Sequence, residues 1–277
     1  MANKNPIGIF DSGVGGLTVL TEVRRRLPRE SIVYLGDTAR LPYGSRSPAE
    51  IVSFVEEILV WMQAQQAKMV IMACNTSSAL ALDLLRDRFD FPILGVILPG
   101  ARAAVNVGRR IGIIATAATV ASNAYPQAIA ESCLETEKTA QVWQVACPAF
   151  VEIIESGRIN HPSTVTVVQE YLQPLIAANI DTLVFGCTHY PHLAGVLRRL
   201  LPEVRFVDPA IHVVKAAAQE LEILGLRQSG KSPSATPPSI NFYVSGDPQQ
   251  FAQISSQWLG MHPQVEQVYM SPVVSIS

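Results

Sequence analysis

Short, continuous apolar runs rich in Val and Ile recur along the chain in two sets of four. The first set is IGIF (7–10), IVYLG (32–36), MVIMA (69–73) and ILGVI (93–97). The second set is IGIIA (111–115), VWQVA (142–146), TLVFG (182–186) and VRFVD (204–208). Strands that are apolar on both faces are typical of parallel sheets covered by helices on both sides. The runs therefore predict mainly parallel strands.

Helical patterns lie between these runs, and the clearest of them covers residues 47–66. Ser47 and Glu50 match a capping box, and Pro48 stands in the first turn. The apolar residues of this segment recur at three- and four-residue spacing, as expected of a stripe that faces the core. They are Ile51, Phe54, Val55, Ile58, Leu59 and Met62. Alternation of strands and helices predicts an open α/β fold.

The order of these features repeats, as it would in a duplicated α/β half. We therefore predict two pseudo-symmetric open α/β domains with mostly parallel sheets and an active site in the cleft between them. The first domain takes residues 1–98 and 211–277, and the second takes 99–210. The Ser/Pro-rich stretch 227–239 predicts a flexible loop. The segment INFYVSGDPQQF (240–251) predicts a strand and a helix start that return to the first half.

Composition excludes several classes of protein. With 277 residues, 48% apolar and 16% charged, the chain can bury a sizeable core. A net charge of −2 gives no electrostatic footprint for nucleic acid. No apolar stretch approaches the roughly 18–20 residues that span a bilayer, and the N-terminus lacks the features of a signal peptide. We therefore expect a cytoplasmic protein without nucleic-acid or membrane partners.

The four cysteines do not form a disulfide framework, and no Cys-x-x-Cys pair occurs. In a reducing cytosol they are expected to be thiols. Cys187, His189 and His192 could suggest a metal site, but the cluster has no distant fourth ligand, so we predict no metal.

Two of the cysteines end apolar runs in matching places. Cys74 lies in ACNTSSAL (73–80) and Cys187 in GCTHYPHL (186–193), each directly after the third run of its set. Ligands of open α/β sheets bind beyond the carboxyl ends of strands. Two such halves facing each other would place one thiol on either side of a ligand. Other residues at strand ends are Asp11, Ser12, Asp37, Thr116 and Thr119.

Two opposed thiols can invert a carbon centre, because one thiolate removes a proton from one face and the other thiol returns a proton to the opposite face. Each cysteine precedes a plausible helix start, which is expected to lower its pKa. A free cysteine is more often a small buried apolar residue, but the matched placement of this pair favours function. Cys133 and Cys147 are expected to be structural.

Several polar groups could hold a substrate carboxylate or tune the thiols. The expected donors are the backbone N–H groups of both helix starts together with Ser12, Asn75, Thr76 and Thr188. The expected ionisable neighbours are Asp11, His189 and Glu155. Asp11 could instead cap a helix, and His189 could be structural. The stretch LPYGS (41–45) could be only a turn, or it could present backbone N–H groups to a ligand.

The stretch DSGVGG (11–16) follows a strand, and Asp37 ends the next one, as in a dinucleotide-binding fingerprint. Thr18 replaces the third glycine of that fingerprint, and Asp11 would lie close to a pyrophosphate. We therefore do not predict nucleotide binding. A phosphate-cradling Gly-Lys-Ser/Thr loop is absent, and no lysine has a context that suggests pyridoxal phosphate.

Five stretches together resemble the glutamate racemases of the aspartate/glutamate racemase family, in order and over nearly the whole chain. They are GIFDSGVGGLTV, GDTARLPYGSRS, ACNTSSA, FGCTHYPHL and FYVSGDPQQF. The resemblance implies a cofactor-independent enzyme, usually a homodimer, that interconverts L- and D-glutamate and supplies the D-isomer for peptidoglycan. It also implies that Cys74 serves the D-isomer and Cys187 the L-isomer.

The same resemblance assigns roles to further positions. It implies substrate contacts at Asp11, Ser12, Tyr43, Gly44, Asn75, Thr76, Thr188 and His189, to which we add Pro42, Thr116 and Thr119. It implies supporting ionisable roles for Asp11, Glu155 and His189. Glu152 is an alternative to Glu155, which we prefer for its distance from Cys147-Pro148. A two-thiol racemase for aspartate or hydantoins, or a non-catalytic amino-acid-binding protein, are the alternative functions.

Overall fold

The computed structural model describes residues 3–228 and 237–271. Its strands form two sheets. In chain order they are β1 (Ile7–Asp11), β2 (Ile32–Gly36), β3 (Met69–Met72), β4 (Ile93–Gly95), β5 (Arg110–Ala115), β6 (Gln141–Ala146), β7 (Thr182–Gly186), β8 (Arg205–Val207), β9 (Ile240–Val244) and β10 (Val265–Gln267). The nine predicted strands are confirmed, and β10, a three-residue strand at a sheet edge, was not predicted.

The two sheets repeat one strand order. The first sheet runs β10-β9-β2-β1-β3-β4 and the second runs β6-β5-β7-β8. In each sheet the strand that comes first along the chain lies between the second and the third, and the fourth lies outside the third. All pairings in the part of the chain that the structure describes are parallel. The carboxyl ends of β3 and β7 therefore occupy equivalent places.

Helices cover both faces of each sheet. They are α1 (Leu17–Arg26), α2 (Pro48–Ala64), α3 (Asn75–Leu85), α4 (Ile97–Val107), α5 (Ala117–Ala121), α6 (Ala124–Glu135), α7 (Ala149–Glu155), α8 (Pro162–Ala177), α9 (Ala194–Leu200), α10 (Pro209–Ile223) and α11 (Pro248–Leu259). The predicted capping box is confirmed, because Ser47 and Glu50 each accept from the other's backbone N–H. Among the helices of residues 3–228 and 237–271, none combines the length and apolarity needed to cross a bilayer.

Four apolar clusters fill the space between helices and sheets. One lies under α1 and α10 and a second under α2 and α3, on opposite faces of the first sheet. The other two lie on the faces of the second sheet, one under α7, α8 and α9 and one under α4 and α6. The strands of each sheet fall on one side of the predicted domain boundaries, and the division itself stays a prediction.

The C-terminal segment returns to the first sheet, as predicted. Strand β9 pairs with β2, with Ile240 opposite Ile32. Trp258 of α11 packs against the cores of both sheets and stacks on His192, with 4.0 Å between ring centroids. The predicted loop 227–239 lies mostly outside the described residues.

His192 provides a test of this packing. Burial, helped by the charge of His189, lowers the pKa of His192 to about 4. Between pH 6.5 and about 4, His192 is therefore protonated in the unfolded chain but neutral in the folded chain. The free energy of unfolding falls as the pH is lowered through that window. His192→Phe, which keeps a ring against Trp258, should remove about 2 kcal/mol of this acid sensitivity.

The measurement is urea denaturation of both proteins between pH 4 and pH 7. An equal loss of free energy of unfolding in the two proteins would contradict the assignment of this pH dependence to His192.

Candidate active site

A cavity of roughly 270 Å³ is lined by residues that follow strands of both sheets. Most of the predicted site residues line it. These are Ser12, Pro42, Tyr43, Gly44, Cys74, Asn75, Thr76, Thr116, Cys187, Thr188 and His189. A wider surface groove beside Arg25 and Arg227 contains none of them. The strand order of the two sheets thus brings residues that are far apart in the chain to one place.

Three predicted residues lie behind the cavity wall. Asp11 and Thr119 are buried and do not line the cavity, and Glu155, which does not line it either, is hydrogen-bonded to His189 of the wall. Sequence reasoning also missed part of the wall, because most of that part is apolar or backbone and carries no chemical signal. The missed residues are Leu41, Ser45, Ala117, Pro148, Val151 and Gly186.

Both cysteines lie at the carboxyl end of the third strand of their sheet, and each is almost fully buried. Cys74 caps α3, and its Sγ accepts a hydrogen bond from the backbone N–H of Ser77 at 3.5 Å. Cys187 Sγ lies 3.8 Å from Nδ1 of His189. The fold makes the two positions equivalent, while their neighbours make the two thiols chemically different.

The predicted lowering of the Cys74 pKa is wrong. Burial, together with the negative charge of Asp11, raises the pKa of this thiol to about 11. The hydrogen bonds of Ser77 at the start of α3 act in the opposite direction but are outweighed. Desolvation of a thiolate in a closed cavity is therefore larger than the benefit of one helix N-terminus. Cys74 is a thiol at neutral pH.

His189 carries the compensating positive charge. Burial lowers its pKa, but hydrogen bonds to Cys187 and Glu155, together with the negative charges of Cys187 and Asp11, outweigh burial and raise it to about 10. Glu155 Oε1 lies 2.9 Å from Nε2 of His189. Glu152, the alternative acid, instead pairs with Arg158 at the surface. The geometry therefore favours Glu155 as the supporting acid.

Asp11 connects the first sheet to the second. Its Oδ2 accepts from the backbone N–H of Gly13 at 3.0 Å, and its Oδ1 accepts from the hydroxyl of Thr188 at 3.4 Å. Burial raises the pKa of this carboxyl, although the charge of His189 and these hydrogen bonds oppose the shift. Asp11 therefore acts on the cavity through Thr188 and through its charge, from behind the wall.

Three threonine hydroxyls lie within hydrogen-bonding distance of one another at the cavity. Thr76 Oγ1 lies 2.9 Å from that of Thr116 and 3.2 Å from that of Thr119, and the latter two lie 3.0 Å apart. Thr116 caps α5, and Thr119 is fully buried beneath the other two. Thr119 therefore orients two cavity-lining hydroxyls, one from each half of the chain.

The loop that carries Pro42, Tyr43 and Gly44 is held by Asp37, which is fully buried. The Asp37 carboxylate accepts from the Tyr43 hydroxyl and, at 2.7 Å, from Nε of Arg40. It also accepts from the Ser245 hydroxyl at 2.6 Å. Ser245 belongs to the motif FYVSGDPQQF, to which sequence reasoning gave no partner. The C-terminal segment thus fixes one wall of the cavity.

Two glycines of DSGVGG, Gly15 and Gly16, lie where an added Cβ would overlap neighbouring side chains. A Cβ on Gly15 would lie 2.2 Å from Oγ1 of Thr188 and 2.5 Å from Nδ1 of His189. On Gly16 it would lie 2.6 Å from Cβ of Asp11. Gly15 is therefore required by contact between the two halves and Gly16 by packing within the first half, which explains the fingerprint-like spacing without a nucleotide. Among the described residues, no three His, Cys, Asp or Glu side chains form a group that could hold a metal ion.

Comparisons with known proteins point to one family. The family model described as Asp/Glu/Hydantoin racemase matches residues 17–221. A glutamate racemase from Microcystis aeruginosa is 63% identical over 268 residues, which cover 96% of this chain and 92% of that protein. A crystal structure of a glutamate racemase isoform from Bacillus anthracis has a TM-score of 0.88 at 37% identity, covering 95% of this chain and 97% of that one.

A second solved structure carries a ligand. The glutamate racemase from Francisella tularensis, in complex with D-glutamate, has a TM-score of 0.87 at 34% identity. The match covers 97% of this chain and 98% of that one.

Gly15→Ala tests the contact between the halves. Because the new methyl group would overlap Thr188 and His189, we expect it to lower the free energy of unfolding by about 1–3 kcal/mol. Gly195→Ala is the matched control, since nothing lies within 4 Å of its added Cβ in α9. That control should raise stability by about 0.5–1 kcal/mol through helix propensity. Urea denaturation measures both, and equal stabilities of the two variants would contradict the close approach.

Proposed function

The chain belongs to the Asp/Glu/Hydantoin racemase family, and from this premise we propose that it is a glutamate racemase that uses two cysteine thiols and no cofactor. The resemblance found in the sequence is confirmed at the level of the family. The observation that carries the proposal is that Cys74 and Cys187, at equivalent strand ends, line the same cavity. A stereocentre held between them is open to a base on one face and to an acid on the other.

The charges around the thiols support an order of events. Protonated His189 lies next to Cys187, whereas burial keeps Cys74 a thiol. With the charges arranged in this way, we assign Cys187 as the base for L-glutamate. Its thiolate takes the α-proton, and Cys74 gives its proton to the opposite face of the carbanion. D-glutamate then leaves, and the reverse reaction begins with Cys74 as thiolate. Its raised pKa makes that thiolate the stronger base once it forms.

The cavity wall supports a dicarboxylate substrate. Among the residues that the structure describes, no Lys or Arg lines it, so the carboxylates would be held by hydroxyl, amide and backbone N–H donors and by the charge of His189. We assign Ser12, Asn75, Thr76 and Thr188 as these donors. Preorganised donors in a water-poor cavity stabilise the negative charge that develops when the α-carbon loses its proton. Because these side-chain and backbone donors are neutral, the substrate's own α-ammonium group is the strongest electron-withdrawing charge beside its α-carbon.

The same proposal implies which process uses the product and where the reaction takes place. D-glutamate would supply peptidoglycan synthesis, and the reaction would take place in the cytoplasm, where the thiols stay reduced. A homodimer is expected. Racemisation of aspartate or of a hydantoin is the alternative within the family, and binding without turnover is the alternative outside catalysis. Identities of 63% and 60% to two glutamate racemases favour glutamate.

Isotope exchange in deuterium oxide tests the two-thiol mechanism. The proton that product receives comes from the second thiol, which has exchanged with solvent. Product formed from L- or D-glutamate should therefore carry α-deuterium from the first turnovers, while the remaining substrate stays unlabelled. NMR of the reaction, without added cofactor and under reducing conditions, follows both species. Early labelling of the substrate pool, or turnover of aspartate or a hydantoin but not glutamate, would overturn the proposal.

Removing either thiol gives a second arm of this experiment. Cys74→Ala and Cys187→Ala should each lower racemisation by more than about 10³-fold, because each removes the acid–base group that serves one face of the stereocentre. Cys133→Ala, which changes a thiol outside the cavity, is the control and should retain activity. A Cys74→Ala protein with full activity would contradict the mechanism.

Glu155→Gln tests the supporting acid. Loss of its charge removes a charge-assisted hydrogen bond to His189, lowers the pKa of His189 and should reduce kcat about tenfold. The decline of activity at alkaline pH should also begin at lower pH in this variant, since His189 loses its proton earlier. Glu152→Gln, on the same helix but paired with surface Arg158, is the control and should stay within twofold of wild type. A larger effect at Glu152 would reverse the assignment.

A further inference from the structure

Tyr125 of α6 reaches from the second half of the chain to a side chain of the cavity wall. Its side chain is fully buried, and its hydroxyl donates a hydrogen bond to Oδ1 of Asn75 at 2.7 Å. Asn75 is the first residue of α3 and follows Cys74 directly. We propose that Tyr125 is a positioning residue, which fixes the amide of Asn75 so that its NH₂ group is the end offered to a substrate carboxylate.

A side-chain amide such as that of Asn75 is nearly symmetric in shape. Its oxygen and nitrogen ends have nearly the same shape, so a rotation of 180° exchanges a donor for an acceptor at little steric cost. In the described part of the chain, Asn75 Oδ1 is occupied by Tyr125, and no acceptor pairs with its Nδ2. Because Asn75 lines the cavity, the free donor is available there.

The reversed amide is disfavoured by the hydroxyl proton of Tyr125. If Nδ2 of Asn75 faced Tyr125, the phenol oxygen could accept from it. The O–H would then need another acceptor, and within residues 3–228 and 237–271 its only hydrogen bond is to Asn75. A buried donor without a partner costs about 1–3 kcal/mol. Burial also raises the pKa of Tyr125 well above its usual range, so the hydroxyl keeps its proton at neutral pH.

The consequence concerns substrate binding and rests on the proposed function. Carboxylate oxygens only accept hydrogen bonds, so an amide oxygen turned towards one would repel it. Within residues 3–228 and 237–271, the cavity wall has no Lys or Arg to offset the loss of a donor. Tyr125 therefore raises affinity for the dicarboxylate without touching it, and it links α6 of one half to the residue after the catalytic thiol of the other.

The experiment compares Tyr125→Phe with wild type in both directions of racemisation. The change removes one oxygen atom and keeps the ring in the core. We expect KM for both enantiomers to rise about threefold to tenfold, the worth of one hydrogen bond. The kcat should stay within twofold, because both thiols and His189 are untouched.

The matched control is Ser132→Ala. Ser132 lies two turns further along α6, is equally buried, and donates only to the backbone oxygen of Ala128 at 2.7 Å. A general loosening of α6 would raise KM in this variant too. Its KM should equal that of wild type.

A double-mutant cycle separates positioning from structure. Asn75→Ala should raise KM more than Tyr125→Phe, and the double variant should be no worse than Asn75→Ala alone, since Tyr125 acts only through Asn75. Additive effects, or an unchanged KM in Tyr125→Phe, would overturn the proposal.

Asn75→Asp tests the same proposal if Tyr125→Phe does not fold. This variant retains an acceptor for Tyr125 but presents an oxygen to the cavity, so its KM should be at least as high as that of Asn75→Ala. A wild-type KM in Asn75→Asp would refute the need for a donor.

Wild-type activity separates this inference from the proposed function. If the wild type racemises aspartate rather than glutamate, the proposed function fails, and the same variants are compared with aspartate, which is also a dicarboxylate. If the wild type binds glutamate without turnover, calorimetric Kd values replace KM. A wild type that binds neither dicarboxylate overturns both.

Discussion

The parallel direction of every described strand is the constraint on which the site depends. It places the carboxyl ends of all strands of a sheet along one edge, so residues that follow β1 and β3, or β5 and β7, become neighbours. The repeated strand order then makes Cys74 and Cys187 equivalent. A strand reversed at either third position would carry its cysteine to the opposite edge of its sheet. The pairing of the two thiols is thus a property of topology before it is one of side-chain chemistry.

The neighbouring side chains make the two cysteines chemically different, although the fold makes their positions equivalent. Cys187 has His189 and Glu155 beside it, whereas Cys74 has Asp11, so one thiol faces a positive charge and the other a negative one. Burial magnifies both effects, because charges interact strongly where water is excluded. An inverting enzyme needs one base and one acid at the start of each turnover. The asymmetric partners of the two cysteines supply the difference that the proposed two-thiol mechanism requires.

The sequence was sufficient for features that depend on local pattern. The apolar runs predicted eight strands and the segment 240–251 a ninth, Ser47 and Glu50 predicted a helix start, and the matched positions of Cys74 and Cys187 predicted the shared cavity. It was insufficient where the result depends on packing between distant segments. The contact of Tyr125 with Asn75 has no local signature, and the Cys74 pKa follows from the balance of burial against a helix start. Strand β10 has only three residues and little apolar character.

Packing between distant segments also explains why the chain carries motifs that lie far from the two cysteines in sequence. The glycines near Asp11 let the first half approach Thr188 and His189, and Ser245 holds Asp37, which in turn holds the loop of Tyr43. Each motif supplies one wall or one support of a cavity that no single segment could form. A cavity assembled from both halves keeps its shape only while these contacts persist. The hydroxyl of Thr188, 3.4 Å from Oδ1 of Asp11, adds a direct contact between the halves next to Cys187.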